Sequence, residues 1–163
     1  MNFVFGNEPG GAYYDFAMLG EFTDDWEVNE VGWYEAGDPT RLHTVFGADA
    51  VLGSTAQVWI PTNFGFYYLN TRTGKTFFTE SGQNTQGHNQ QFAAFQYQGY
   101  TMLGVEDIFS NVKTPTWTPG GADYDYNDVV FGFRAASVPE PGTLLLVGMG
   151  LAGIAASRRR TTR

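Results

Sequence analysis

Asp123, Asp125, Asn127 and Asp128 fall within six residues in the segment Gly120-Gly-Ala-Asp-Tyr-Asp-Tyr-Asn-Asp-Val-Val-Phe131. Extended backbone sends successive side chains to opposite faces, which predicts Asp123, Asp125 and Asn127 on one side and Asp128 on the other. Carboxylates crowded in this way repel one another unless a cation or hydrogen-bond donors offset them. Hard oxygen ligands at alternate positions are what Ca²⁺ takes. Two further carboxylates, Glu106 and Asp107, stand upstream and are expected to join the set. The competing reading is a tight loop before the last strand, in which Asp and Asn side chains bond neighbouring backbone N–H groups. The segment opens with the D-x-D-x-N order of an EF-hand loop. Position six, however, is Asp128 rather than Gly, position twelve is Arg134 rather than Glu, and the flank is strand-like, so it is not an EF-hand.

No other cluster points to catalysis, and the expectation is a protein without catalytic residues. The chain has no cysteine, which removes thiol chemistry, disulfides and Cys-type zinc sites. His43 and His88 are isolated and are expected to be ordinary loop or strand residues. Gly74-Lys75-Thr76 ends like a P-loop, yet Leu69 stands where the first glycine is required. Glu106 and Asp123 have the chemistry of a glycosidase pair, but nothing selects them. Asp24-Asp25-Trp26-Glu27 reads as a solvated turn. Trp33-Tyr34, Tyr67-Tyr68 and Tyr124/Tyr126 have apolar faces and polar tips suited to stacking on sugar rings, which makes a carbohydrate-binding module the alternative function. The competing fate for these aromatics is the core.

Charge divides along the chain. Before residue 138 there are five Lys and Arg against sixteen Asp and Glu, a net −11; after it four Arg face Glu140, a net +3. An acidic domain of this size repels phosphate backbones, so nucleic-acid binding is excluded.

The elements that must position these residues are strands. Residues 1–136 show no sustained 3.6-residue apolar period and instead carry short aromatic and β-branched runs between turn signals. Strands are predicted at Phe3–Phe5, Tyr13–Phe16, Glu27–Tyr34 with a bulge near Gly32, His43–Phe46, Thr55–Ile60, Phe64–Leu69, Lys75–Thr79, Phe92–Gln98, Tyr100–Val105 and Val129–Arg134. Gly37-Asp38-Pro39 is predicted as a turn, Glu80–Gln91 as an exposed loop, and Thr55–Ile60 as the hairpin partner of Phe64–Leu69. Nine or ten short strands and 27 aromatic residues predict an all-β antiparallel sandwich or jelly roll.

Behind this domain come Pro139-Glu140-Pro141, an uncharged apolar run from Gly142 to Ser157, and Arg158, Arg159, Arg160 and Arg163. At ~1.5 Å per residue the run is a marginal membrane span. The arginines hold its end on the cytoplasmic side, placing the β-domain outside. A buried core helix would not be so rich in glycine (Gly148, Gly150, Gly153). The order of motif, span and basic end resembles the PEP-CTERM sorting signal of Gram-negative bacteria. The resemblance implies recognition at Pro139, Glu140 and Pro141 by an exosortase, a membrane cysteine peptidase, and topology set by Arg158, Arg159 and Arg160. It further implies an inner-membrane-anchored precursor, then release to the cell surface or the exopolysaccharide matrix, with extracellular polysaccharide as a further partner. Gly104-x-Glu106-Asp107 followed by the Asp123–Phe131 signature also resembles, over roughly residues 60–134, a family of secreted bacterial β-domains of unknown function. That likeness implies a calcium-binding or matrix-associated role.

The expected organisation is a β-domain at 1–136, a linker with the sorting motif at 137–142, a hydrophobic helix at 143–157 and a basic cytoplasmic end at 158–163. Met1–Pro9 has no basic region and no 7–15-residue apolar stretch, so this stretch is not expected to be a signal peptide. Export requires one, and the expectation is a true N-terminus upstream of Met1.

Overall fold

Period-two alternation decides which side chains meet. In the strand Thr55–Ile60, Ala56, Val58 and Ile60 turn inward while Thr55, Gln57 and Trp59 stand exposed, as the sequence predicts. The computed structural model describes residues 2–6, 10–21, 29–84, 90–106, 125–137 and Met149. Within them lie nine strands: β1 (Ala12–Glu21), β2 (Asn29–Glu35), β3 (Asp38–Phe46), β4 (Thr55–Ile60), β5 (Phe64–Asn70), β6 (Lys75–Phe78), β7 (Phe92–Tyr97), β8 (Tyr100–Val105) and β9 (Val129–Ala135). They form two antiparallel sheets, one ordered β4-β1-β9-β8-β7 and the other β3-β2-β5-β6.

The sheets pack face to face through aromatic rings. Phe64, Phe66 and Tyr68 of one meet Tyr14, Phe16, Phe131 and Phe133 of the other in a continuous buried cluster. Phe66 sits at its centre, 4.8 Å from the Phe133 ring and 5.2 Å from that of Phe131. Phe5 closes one end: its backbone exchanges bonds of 2.8 and 2.9 Å with Phe64, and its ring meets Phe133 edge-on at 5.0 Å. The hairpins β2–β3, β5–β6 and β7–β8 each stay within one sheet, so the architecture is a sandwich of hairpins.

Several boundaries differ from expectation. The hairpin expected between Thr55–Ile60 and Phe64–Leu69 does not form. β4 pairs with β1, and β5 pairs with β2 and β6 in the opposite sheet, so Pro61-Thr62-Asn63 carries the chain between sheets. Both strands are apolar on the inner face, and burying both is achieved equally by stacking them across the core. Asp38 and Pro39 belong to β3 rather than to a turn, and Phe3–Phe5 contributes an isolated bridge at Phe5 rather than a strand. The expected exposed loop Glu80–Gln91 begins with a 3-10 turn at Ser81–Gln83, and Asn84 and Gln91 at its described ends are buried. The bulge near Gly32 is present as a register shift against β3.

Two glycines explain an unusual outer face. Across β2 and β5, Tyr34 is paired with Gly65 and Gly32 with Tyr67. A Cβ on Gly65 would collide with the Tyr34 ring, and one on Gly32 with Tyr67 and the His43 backbone. Each tyrosine therefore lies flat over its glycine, a cross-strand packing that seals an exposed sheet face. Burial pushes both hydroxyls well above the usual tyrosine range; at Tyr67 the Glu30 carboxylate, which accepts its proton, pushes the same way. An unfolded tyrosine ionises near pH ~10. Above that pH the unfolded chain releases protons that the folded chain keeps, so stability falls as pH rises. Thermal melts between about pH 9 and 12 should show this loss, and Tyr34→Phe with Tyr67→Phe should flatten it.

Among the described residues no helix is long and apolar enough to cross a membrane. The hydrophobic helix expected at 143–157 lies outside them apart from Met149.

Candidate functional site

The acidic segment enters the structure at the paired ends of two strands. Val105 of β8 is opposite Val129 of β9, so the next residues out, Glu106 and Asp128, leave the two strands at the same sheet end. Glu106 is buried, its N–H donating to the Gln91 carbonyl at 2.9 Å and its own carbonyl accepting from Gln91 Nε2 at 2.9 Å. Asp125 and Asn127 are exposed and Asp128 half-buried. The even alternation expected of this stretch is broken at Tyr126, whose φ of 56° is left-handed. The Asp125 carboxylate then turns onto Asn127, accepting its backbone N–H at 3.2 Å and its side-chain amide at 2.6 Å. This is the Asx-type bonding weighed against calcium in the sequence. Asp107 and Asp123 lie outside the described residues, and among those described no three His, Cys, Asp or Glu side chains gather in a metal-sized group.

Gly104 holds the segment in place. A Cβ there would run into the Tyr126 carbonyl, so only glycine lets this backbone cross β8 so closely. The Tyr126 hydroxyl adds a bond to the Gln90 carbonyl at 3.2 Å. Gly104→Ala is expected to cost about 1–3 kcal/mol by overpacking against backbone that cannot move cheaply, measurable by urea unfolding.

The aromatics named for sugar stacking are placed elsewhere. Trp33, Tyr34, Tyr67 and Tyr68 are all buried, and Trp33 also stacks against His43 at 4.1 Å. Tyr126 is half-buried, and Tyr124 lies outside the described residues. Trp33-Tyr34 and Tyr67-Tyr68 lie on β2 and β5, the central strands of their sheet, and their burial leaves them no open ring face for a sugar. His43 is an exposed strand residue and Lys75 opens β6 after a turn, as expected; His88 and Asp24–Glu27 lie outside the described residues.

The exposed aromatics belong to the outer face of the five-stranded sheet. Tyr13 and Trp59 are half exposed and meet edge to face at 5.1 Å, and Phe95 and Tyr97 are half exposed at the far strand. Between them the register lines up Gln57, Asp15 and Arg134 across β4, β1 and β9, followed by Tyr100 and Tyr97 on β8 and β7. Gln57 Nε2 donates to Asp15 Oδ1 at 2.7 Å, Arg134 Nε lies 3.6 Å from Asp15 Oδ2, and the guanidinium caps the Tyr100 ring at 4.6 Å. Nothing in the sequence order marks these residues as neighbours. The available signal was Trp59, a large aromatic on the polar side of an otherwise strict alternation.

β9 ends at Ala135, and the Ala136 N–H bonds the Tyr13 carbonyl at 2.8 Å, so the chain leaves the sheet two residues before Val138. The tail that follows is the stretch the comparisons address. Residues 137–160 match the PEP-CTERM protein-sorting motif. None of the curated proteins compared with the chain matches it. The sorting motif makes an exosortase the processing enzyme and the membrane the place of processing, and so marks the chain as an exported protein. Pro139, Glu140, Pro141 and Arg158, Arg159, Arg160 fall within the match but outside the described residues.

Proposed function

We propose that the chain is anchored in the inner membrane by its C-terminal apolar run, cut by an exosortase near Pro139-Glu140-Pro141, and passed to the cell surface or exopolysaccharide matrix. There the β-sandwich works as a non-catalytic binding and structural domain. The observation that carries this reading is the sorting motif, joined almost directly to the last strand. The test is expression of the full chain behind an export leader in hosts with and without an exosortase. The expected result is a shortened product in the surface or medium fraction of the first, and a full-length, membrane-bound chain in the second. The same full-length product in both would overturn the proposal.

Calcium is the accompanying proposal for Asp123, Asp125, Asn127 and Asp128 with Glu106 and Asp107. It is supported by the register that brings Glu106 and Asp128 to the same sheet end. At a hundredfold excess over Kd a bound ion adds about 2.7 kcal/mol. The melting temperature should therefore rise by about 5–10 °C with calcium and fall back on chelation. Asp125→Ala should remove that response. A melting curve indifferent to both would leave the segment as a backbone-bonded turn.

A further inference from the structure

The outer face of the five-stranded sheet carries two adjoining depressions that the acidic loop and the sorting motif leave unexplained. One, of about 300 Å³, is lined by Asp15, Gln57, Thr55, Tyr100 and Arg134. The other, of about 250 Å³, is lined by Ala17, Leu19, Met102, Tyr97 and Tyr100. Tyr100 is the shared wall. The Tyr13–Trp59 pair stands one step along β1 and β4 from the Asp15–Gln57 pair, so aromatic rings flank one end of the polar row while Tyr100 and Tyr97 form the other.

We propose that this face binds a neutral polysaccharide chain lying across the strands. Its setting rests on the surface-binding role proposed above. Pyranose rings present flat C–H faces and a rim of hydroxyls, and the sheet offers both matches. Trp59, Tyr13, Tyr97 and Tyr100 supply amphipathic ring surface. Gln57, Asp15 and Arg134 supply donors and acceptors held in place by their mutual bonds, so little ordering is needed on binding. The row crosses all five strands, about 19 Å at ~4.8 Å per strand spacing, which suits an oligomer rather than a single sugar.

Charge decides the class of polymer. The Arg134 charge is balanced by Asp15, and the chain ahead of residue 138 carries a net −11, so a polyanionic glycan is repelled. Purely apolar partners are disfavoured because the centre of the row is an amide, a carboxylate and a guanidinium.

The experiment is titration of the full chain, held in a non-glycosidic detergent, with cello-, manno-, xylo- and laminari-hexaose and with alginate. Tryptophan fluorescence and calorimetry report binding. The expected result is saturable binding to at least one neutral hexaose. Trp59→Ala and Tyr100→Ala should each weaken it about ten-fold, and Leu42→Ala, on the other sheet, should leave it unchanged. Gln57→Ala, at an exposed position, should also weaken binding and keeps the test valid if the Tyr100 variant fails to fold. No saturable binding to any hexaose overturns the proposal, as does binding indifferent to the face variants or tighter for alginate. Export and cleavage are read in cells and are untouched by these outcomes, so the two proposals fail separately.

Discussion

Replacing Phe66 with alanine is expected to cost about 3–5 kcal/mol, the range for truncating a buried aromatic ring. Phe66 is fully buried on a central strand, and its ring meets Phe5, Phe16, Phe64, Phe131 and Phe133 at centroid distances of 4.8–5.9 Å. Like Phe64, it is a side chain through which both sheets and Phe5 touch. Truncation removes the transfer energy of the ring and leaves a cavity that several neighbouring rings border, and rings do not collapse into small gaps. Domains of this size are held by only about 5–15 kcal/mol in total, so the variant should sit near its unfolding threshold at growth temperature. Urea or thermal unfolding would measure the loss. Phe66→Leu, which refills much of the volume, should recover a large part of it. A control at exposed Leu52, Leu52→Ala, should stay within about 0.5 kcal/mol. A small effect at Phe66 would mean that the sheets are not joined through this cluster.

The second large effect concerns processing. Substituting Pro139, Glu140 and Pro141 together with alanine should abolish cleavage and leave a full-length, membrane-bound chain. Each proline fixes its own φ near −65° and lacks an N–H. Each also forces the residue before it into an extended conformation. Val138 and Glu140 both precede a proline, a sequence context that disfavours helix and favours the extended backbone a peptidase groove accepts. Glu140→Gln, with both prolines kept, separates the charge from the shape. Reversing Arg158, Arg159 and Arg160 to glutamate should instead disturb orientation, since Lys and Arg concentrate on the cytoplasmic side of a membrane span. Immunoblots of membrane and medium fractions distinguish these results, and normal cleavage of the triple-alanine chain would refute the assigned role of the motif.

Local features were legible wherever the physical cause is local. The β6 start after Asn70–Gly74 follows from turn residues, and Gly74 adopts φ 70° there. The strands β7 and β8 were legible, but Gln98, predicted as the end of a strand, instead forms with Gly99 the two-residue turn of their hairpin, both at positive φ. Which strands pair is a different matter, because β4 and β5 have equally apolar inner faces and period two alone cannot say whether they pair or stack. Trp33-Tyr34 and Tyr67-Tyr68, expected to stack on sugars or to join the core, are buried. Adjacent aromatics point to opposite faces, and alternation alone does not say what covers the outer one. At Tyr34 and Tyr67 the partner strand offers a glycine, and the ring lies down on it.

Composition, alternation and the order of Pro-Glu-Pro, apolar run and arginines were enough to determine an all-β class and the sorting motif, since each is a property of residues close together in the chain. The joining of Gln57, Asp15, Arg134, Tyr100 and Tyr97 into one row was decided by tertiary structure alone. These side chains come from four separate stretches of sequence, and only the sheet order β4-β1-β9-β8-β7 and its register bring them together.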